Sequence, residues 1–128
     1  MHVTGIHHVA IICSDYARSK QFYSEVLGFA VIQETYRATR ESYKLDLRVN
    51  ATTQIELFSF PQSPARSSQP EACGLRHLAF GVTDLEGAIA ELVAKGIQVE
   101  PVRVDELTGK RFTFFPDPDG LPLELYEA

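Results

Sequence analysis

Apolar residues recur along this chain in two rhythms, and the same succession of rhythms appears twice. Residues 5–13 are rich in β-branched and apolar side chains, which predicts a strand. Ser14 or Asp15 then offers an N-cap, and Ala17, Phe22, Tyr23, Val26 and Leu27 make a helical stripe that Gly28 ends. Strands are expected at about 29–36, 43–49 and 54–60. Residues 61–70 are rich in Pro and Ser, carry no hydrophobic period and predict a linker. The second succession opens with a strand at 75–82 and a cap at Thr83 or Asp84. Leu85, Ala88, Ile89, Leu92 and Val93 then follow helical spacing up to Gly96. Strands at about 97–104, 111–115 and 121–126 complete it, with Pro116-Asp117-Pro118-Asp119-Gly120 as the turn before the last.

The two successions share residues as well as order. His8-Val9-Ala10-Ile11 resembles His77-Leu78-Ala79-Phe80, and an Asp follows seven residues after the His in both, at Asp15 and Asp84. Gln54-Ile55-Glu56-Leu57-Phe58 resembles Pro122-Leu123-Glu124-Leu125-Tyr126, with 48 residues from His8 to Glu56 and 47 from His77 to Glu124. The chain therefore reads as an α+β fold of two βαβββ modules with mixed sheets. One domain over 1–128 is expected, with module one at about 3–60, a linker at about 61–74 and module two at about 75–128. Half-chains of this size are marginal as independent domains.

Strand parity separates the faces. Ile6, His8, Ala10 and Ile12 share one face of the first strand, while His7, Val9, Ile11 and Cys13 share the other. In the matching strand His77, Ala79 and Gly81 oppose Arg76, Leu78, Phe80 and Val82. The bulkier sets belong under the helices, leaving His8 and His77 among small neighbours. Glu56 and Glu124 each sit between two apolar residues that point to a core, so both glutamates face away from it, with Phe58 and Tyr126. A carboxylate on a partly apolar face is costly to desolvate unless it is paired or coordinates a cation. Singly, a strand His is usually hydrogen-bonded or half-exposed and a strand Glu faces water. Recurrence of all four at matched positions is what singles them out. His7, assigned to the helix side, and His2 near the start of the chain keep the ordinary reading.

Composition narrows the partners. Twelve Lys and Arg against 17 Asp and Glu give a net charge of −5, which argues against nucleic acid or an anionic membrane as partner. No apolar run is long enough to cross a bilayer, and a cytoplasmic location is expected. Cys13 and Cys73 lack the close spacing of redox or zinc sites and fit a reducing compartment. At 45% hydrophobic residues the chain can build a core without metal staples, so a metal here would be functional.

The paired modules, the Phe22-Tyr23-x-x-Val26-Leu27-Gly28-Phe29 helix end and the Asp117-Pro118-Asp119-Gly120-x-x-x-Glu124 ending resemble the vicinal oxygen chelate superfamily over nearly the whole chain. That resemblance implies curved sheets around a divalent metal, a small-molecule substrate and a homodimer. Within the superfamily the chain is most similar to small bacterial glyoxalase I enzymes, whose His, Glu, His, Glu ligand order maps onto His8, Glu56, His77 and Glu124. The resemblance implies Ni²⁺ or Zn²⁺ first, then Co²⁺, Mn²⁺ or Fe²⁺, which suit such nitrogen and oxygen ligands. It makes Glu124 the catalytic base, with Glu56 as its partner, in isomerising a 2-oxoaldehyde hemithioacetal.

Those enzymes carry an Arg four residues after the first His and an Asn four after the first Glu, both serving glutathione. Ile12 and Phe60 stand there in this chain, which argues against glutathione as the thiol. Arg103 and Arg111, near the last strands, are assigned to solvated surface rather than to an anionic substrate. Rival readings are an extradiol dioxygenase using His8, His77 and Glu124, a fosfomycin-resistance-type thiol transferase, an epimerase, and a metal-free drug-binding protein of bleomycin-resistance type. The dioxygenase lacks a place for Glu56, and the drug binder has no use for four ligands.

Overall fold

The computed structural model describes residues 1–128. Contacts divide it into two compact units, Met1–Ala65 and Arg66–Ala128. The first contains β1 (His8–Cys13), α1 (Tyr16–Gln21), β2 (Ala30–Arg37), β3 (Ser42–Arg48) and β4 (Gln54–Ser59). The second contains β5 (Leu78–Val82), α2 (Leu85–Ala94), β6 (Arg103–Val104), β7 (Arg111–Pro116) and β8 (Pro122–Glu127). Each unit is βαβββ, and the α+β reading is borne out. The sheets run β1-β4-β3-β2 and β5-β8-β7-β6. In both, the opening strand pairs parallel with the closing strand, and the remaining pairings are antiparallel.

Alternation along the strands decides what is buried. In the first unit Leu45 faces Leu57 across the ladder and Leu47 faces Ile55, and all four are buried with Ile11 and Cys13. In the second, Leu123 and Leu125 on β8 and Phe115 on β7 are buried with Leu85 and Leu92 of α2. Full burial of such a side chain contributes roughly 1.5–3 kcal/mol, so these inward faces supply most of each unit's cohesion. The opposite faces are left for other work.

The helices start where expected. The Asp15 carboxylate accepts from the Arg18 N–H at 3.1 Å, and Asp84 accepts from the Gly87 N–H at 2.9 Å, each satisfying an otherwise unpaired amide. Gly87 leaves room for the cap as it stands, because a Cβ there would lie 2.2 Å from Asp84 Oδ2 and displace the carboxylate. The first helix departs from the uniform stripe: after Gln21 it widens into a π-helical turn, Phe22–Val26, with the Leu27 N–H bonded to the Phe22 carbonyl at 3.0 Å. The wider turn lets Phe22 and Tyr23, adjacent in sequence, both bury. Ser19 is buried instead of Ala17, and in α2 Val93 is exposed rather than part of the core.

Three strands are shorter than expected, β1 among them, which begins at His8 rather than at residue 5. β5 begins at Leu78, one residue after His77, and of residues 97–104 only Arg103–Val104 pair. Pro101 has no N–H to offer a ladder, and the segment before it is tied by a bond from the Glu100 N–H to the Phe114 carbonyl at 2.9 Å. The turn ahead of β8 is built by Asp117, whose carboxylate accepts from the N–H groups of Asp119 at 2.8 Å and Leu121 at 2.9 Å. That turn sets the register that places Glu124.

Candidate metal centre

Register assigns the working face of the first sheet. Ala10 pairs with Glu56, Glu56 with Asp46, Phe58 with Lys44 and Ser42 with Arg37, so these residues share a face with His8. On it, His8 Nδ1 lies 3.5 Å from Glu56 Oε2, while Lys44 Nζ lies 3.8 Å from Glu56 Oε1 and 3.4 Å from Asp46 Oδ1. The Glu56 side chain is 14% exposed and that of His8 42%. Ile12, on the same face, is 57% exposed whereas Ile11 is buried, as parity required.

The second sheet repeats the arrangement with different surroundings. Ala79 pairs with Glu124, Glu124 with Phe114, and Phe112 with both Tyr126 and Arg103. His77 Nε2 lies 3.1 Å from Glu124 Oε2, and the Glu124 side chain is only 10% exposed. The His77 ring meets the edge of Phe114 with centroids 5.2 Å apart, which fixes its tilt. The Tyr126 hydroxyl is held by Asp105, to which it donates at 2.9 Å, and by Thr108. Hydrogen bonds from the Leu107 N–H first, then from Tyr126, keep the Asp105 carboxyl below the usual carboxylate range.

A cavity of about 640 Å³ opens on this face, lined among others by Arg66, Arg76, His77, Arg103, Phe112 and Glu124. Arg66 is committed to the backbone, donating to the carbonyls of Leu75 at 2.9 Å and Arg76 at 3.0 Å. Arg76 is bonded to Glu71. Arg103 lies over the rings of Phe112 and Phe114, 5.2 and 5.3 Å from their centroids. Arg103 lines the cavity and keeps a solvated side chain, 52% exposed. Arg111 is elsewhere, bonded to Glu127 at 3.1 Å and Glu86 at 2.8 Å.

Each module brings its own His to its own Glu, and neither gathers three or more His, Cys, Asp or Glu side chains into a cluster. The donor chemistry fits a divalent cation. A single imidazole can give each carboxylate at most one hydrogen bond, which leaves lone pairs of two largely water-shielded carboxylates for a cation. His7 departs from its assignment to the helix side: it is exposed, and its Nδ1 lies 2.9 Å from His8 Nδ1. It precedes the first paired residue of β1, where alternation no longer governs direction. Cavity residues 66–72 lie in the stretch read as linker, whose composition gave no sign of a binding role.

Two βαβββ units, each presenting one His and one Glu on the sheet face turned from its core, define an α+β protein with a duplicated donor pair. Residues 5–125 match the model of the Glyoxalase/Bleomycin resistance protein/Dioxygenase superfamily, and the chain belongs to that family. It is 65% identical to the uncharacterized protein YwkD of Bacillus subtilis over 99% of both chains. A crystal structure of a glyoxalase family protein from Enterococcus faecalis superposes with a TM-score of 0.92 at 54% identity, covering 99% of this chain and 100% of that one. More distantly, the chain is 28% identical to a 2-epi-5-epi-valiolone epimerase of Actinomyces, covering 94% of this chain and 78% of the epimerase. Members of the family generally use a divalent metal. No helix is long and apolar enough to cross a membrane.

Proposed function

We propose that this chain is a divalent-metal-dependent enzyme of the glyoxalase I type, with His8, Glu56, His77 and Glu124 as metal ligands. The observation that carries this reading is the repeated pair, 3.5 Å between His8 and Glu56 and 3.1 Å between His77 and Glu124, at matched positions of two modules. Ni²⁺ or Zn²⁺ suits the donors first, with Co²⁺, Mn²⁺ or Fe²⁺ also compatible. When bound, the ion supplies Lewis-acid stabilisation of two adjacent substrate oxygens.

The remaining work falls to side chains. Glu124 takes the proton from one carbon of a 2-oxoaldehyde hemithioacetal and returns it to the neighbouring carbon, with Glu56 as its partner. The hydroxyl proton passes to the former carbonyl oxygen as well, so both protons stay within the molecule and the isomerisation is balanced without a co-reactant. His77 orients the Glu124 carboxylate, and Phe112 and Phe114 shield it from water. Ile12 and Phe60, where glutathione-handling polar groups would stand, favour a different thiol or a related small substrate. The active form in this reading is a cytoplasmic homodimer.

A second reading shares this chemistry. Epimerisation next to a carbonyl needs the same proton transfer and no thiol, which suits the apolar Ile12 and Phe60, and one relative is a named epimerase. Metal-reconstituted protein should be assayed with hemithioacetals of methylglyoxal and several thiols, and for exchange of a carbon-bound α-proton of a thiol-free ketone with D₂O. Hemithioacetal turnover supports the first reading; exchange without it supports the second. Neither activity from a metal-loaded protein would remove both.

A further inference from the structure

Two guanidiniums of module one lie over aromatic rings and are tied to no protein acceptor. Arg37, at the end of β2, lies over Phe58 at 5.3 Å from the ring centroid, and Arg40, in the following 3-10 turn, lies over Phe60 at 5.0 Å. The two rings are themselves parallel, 6.2 Å apart with planes within 3°. Neither arginine hydrogen-bonds or ion-pairs with any protein group, and the Nε of Arg37 is shut off from water with no acceptor. The arginines around the module-two cavity differ: Arg66 is spent on carbonyls, Arg76 on Glu71, and Arg103 has Glu100 at 3.5 Å.

A buried N–H without an acceptor is unfavourable unless a ligand supplies one. A guanidinium held over an aromatic face gives none of its N–H donors to the ring, so its Nη groups remain available to an oxyanion. The turn carrying the pair is short and fixed, closing with a bond from the Glu41 N–H to the Ala38 carbonyl at 3.2 Å and Glu41 in the left-handed region at φ 46°.

Position relates this pair to the donor site. Phe58 lies two residues beyond Glu56 on the same face of β4, and Phe60 two residues further. At strand rise these are roughly 7 and 13 Å from Glu56. We propose that Arg37 and Arg40 form an oxyanion-binding fork that receives a carboxylate or phosphate at the far end of the substrate. As a statement about substrate, this rests on the metal-site reading above. It makes the substrate an elongated anion, since a three-carbon oxoaldehyde alone does not span the separation.

Isothermal titration of the purified full chain with phenyl phosphate, benzoate and benzyl alcohol tests the fork without needing turnover. At least one anion should bind wild type and Glu56→Gln with comparable affinity and bind Arg37→Gln and Arg40→Gln about tenfold more weakly, while benzyl alcohol does not bind. Arg37→Lys, which keeps charge and bulk, should recover part of the loss. The tighter-binding anion distinguishes a phosphate from a carboxylate terminus. No anion binding by wild type, or unchanged affinity in folded Arg37→Gln, would overturn the proposal. A chain that takes up no metal yet binds anion through Arg37 loses the metal reading and keeps the fork. A chain that takes up metal and binds no anion loses the fork alone.

Discussion

Glu124 Oε2 sits 3.1 Å from His77 Nε2 although its strand neighbours Leu123 and Leu125 are buried in the core. The carboxylate is held on the opposite side of β8 from that core, in a nearly water-free position whose only close polar partner is an imidazole. The same relation in module one is looser, at 3.5 Å, and Lys44 also faces Glu56. The module-two carboxylate is therefore the better suited to handle a substrate proton.

Replacing Glu124 by Gln keeps the shape and removes the group that the proposed function assigns as base. Hemithioacetal isomerisation should fall by about 10²–10⁴-fold, the range for loss of a positioned acid–base group. Glu56→Gln should also lower it, and initial rates on variants with unchanged circular dichroism measure both. Unaltered rates in Glu124→Gln would assign the proton transfer elsewhere.

Gly87 and Asp84 should be energetically coupled. Gly87→Ala removes a poor helix former but sets a Cβ where the Asp84 carboxylate now lies, so in the wild-type background the cap loss, about 1 kcal/mol, offsets the propensity gain. In an Asp84→Ala background the same change should stabilise by about 0.5–1 kcal/mol. Urea unfolding of the four proteins of this cycle reads the difference; equal effects in both backgrounds would deny the coupling.

The Arg111 bond to Glu127 predicts a pH dependence. Arg111, through its side-chain hydrogen bonds, holds the Glu127 carboxyl below its ordinary value of 4.5. A carboxylate with a lowered folded-state pKa contributes stability that is fully present above the unfolded value and is lost as pH falls through the folded value. Glu127→Gln should therefore be less stable than wild type at pH 7, and the gap should narrow between pH 4.5 and lower pH. Urea midpoints across that range measure it, and a gap that widened on acidification would contradict the assignment.

Much of this was legible in the residues. Alternation placed Ile11 inside and Ile12 outside, and the spacing of Glu56 between Ile55 and Leu57 placed it opposite the core. The capping aspartates and the Asp117 turn were readable because a side chain that accepts from an N–H two to four residues on acts locally. The π-helical turn was not, since it arises from burying two adjacent aromatics rather than from a period. Nor was the shortness of β6, which depends on Pro101 and one bond to Phe114, or the direction of His7, set before pairing begins. The stacking of Arg37 and Arg40 depends on a turn geometry that no spacing encodes.

The claim that the two His/Glu pairs serve one divalent ion is tested most directly by metal content. Elemental analysis of protein purified without chelator or metal-affinity tag, and again after reconstitution, should give about one equivalent of Ni²⁺, Zn²⁺ or a related ion per chain, and His8→Ala or His77→Ala should lose it. Less than about a tenth of an equivalent, failing to rise on reconstitution, would contradict the metal centre.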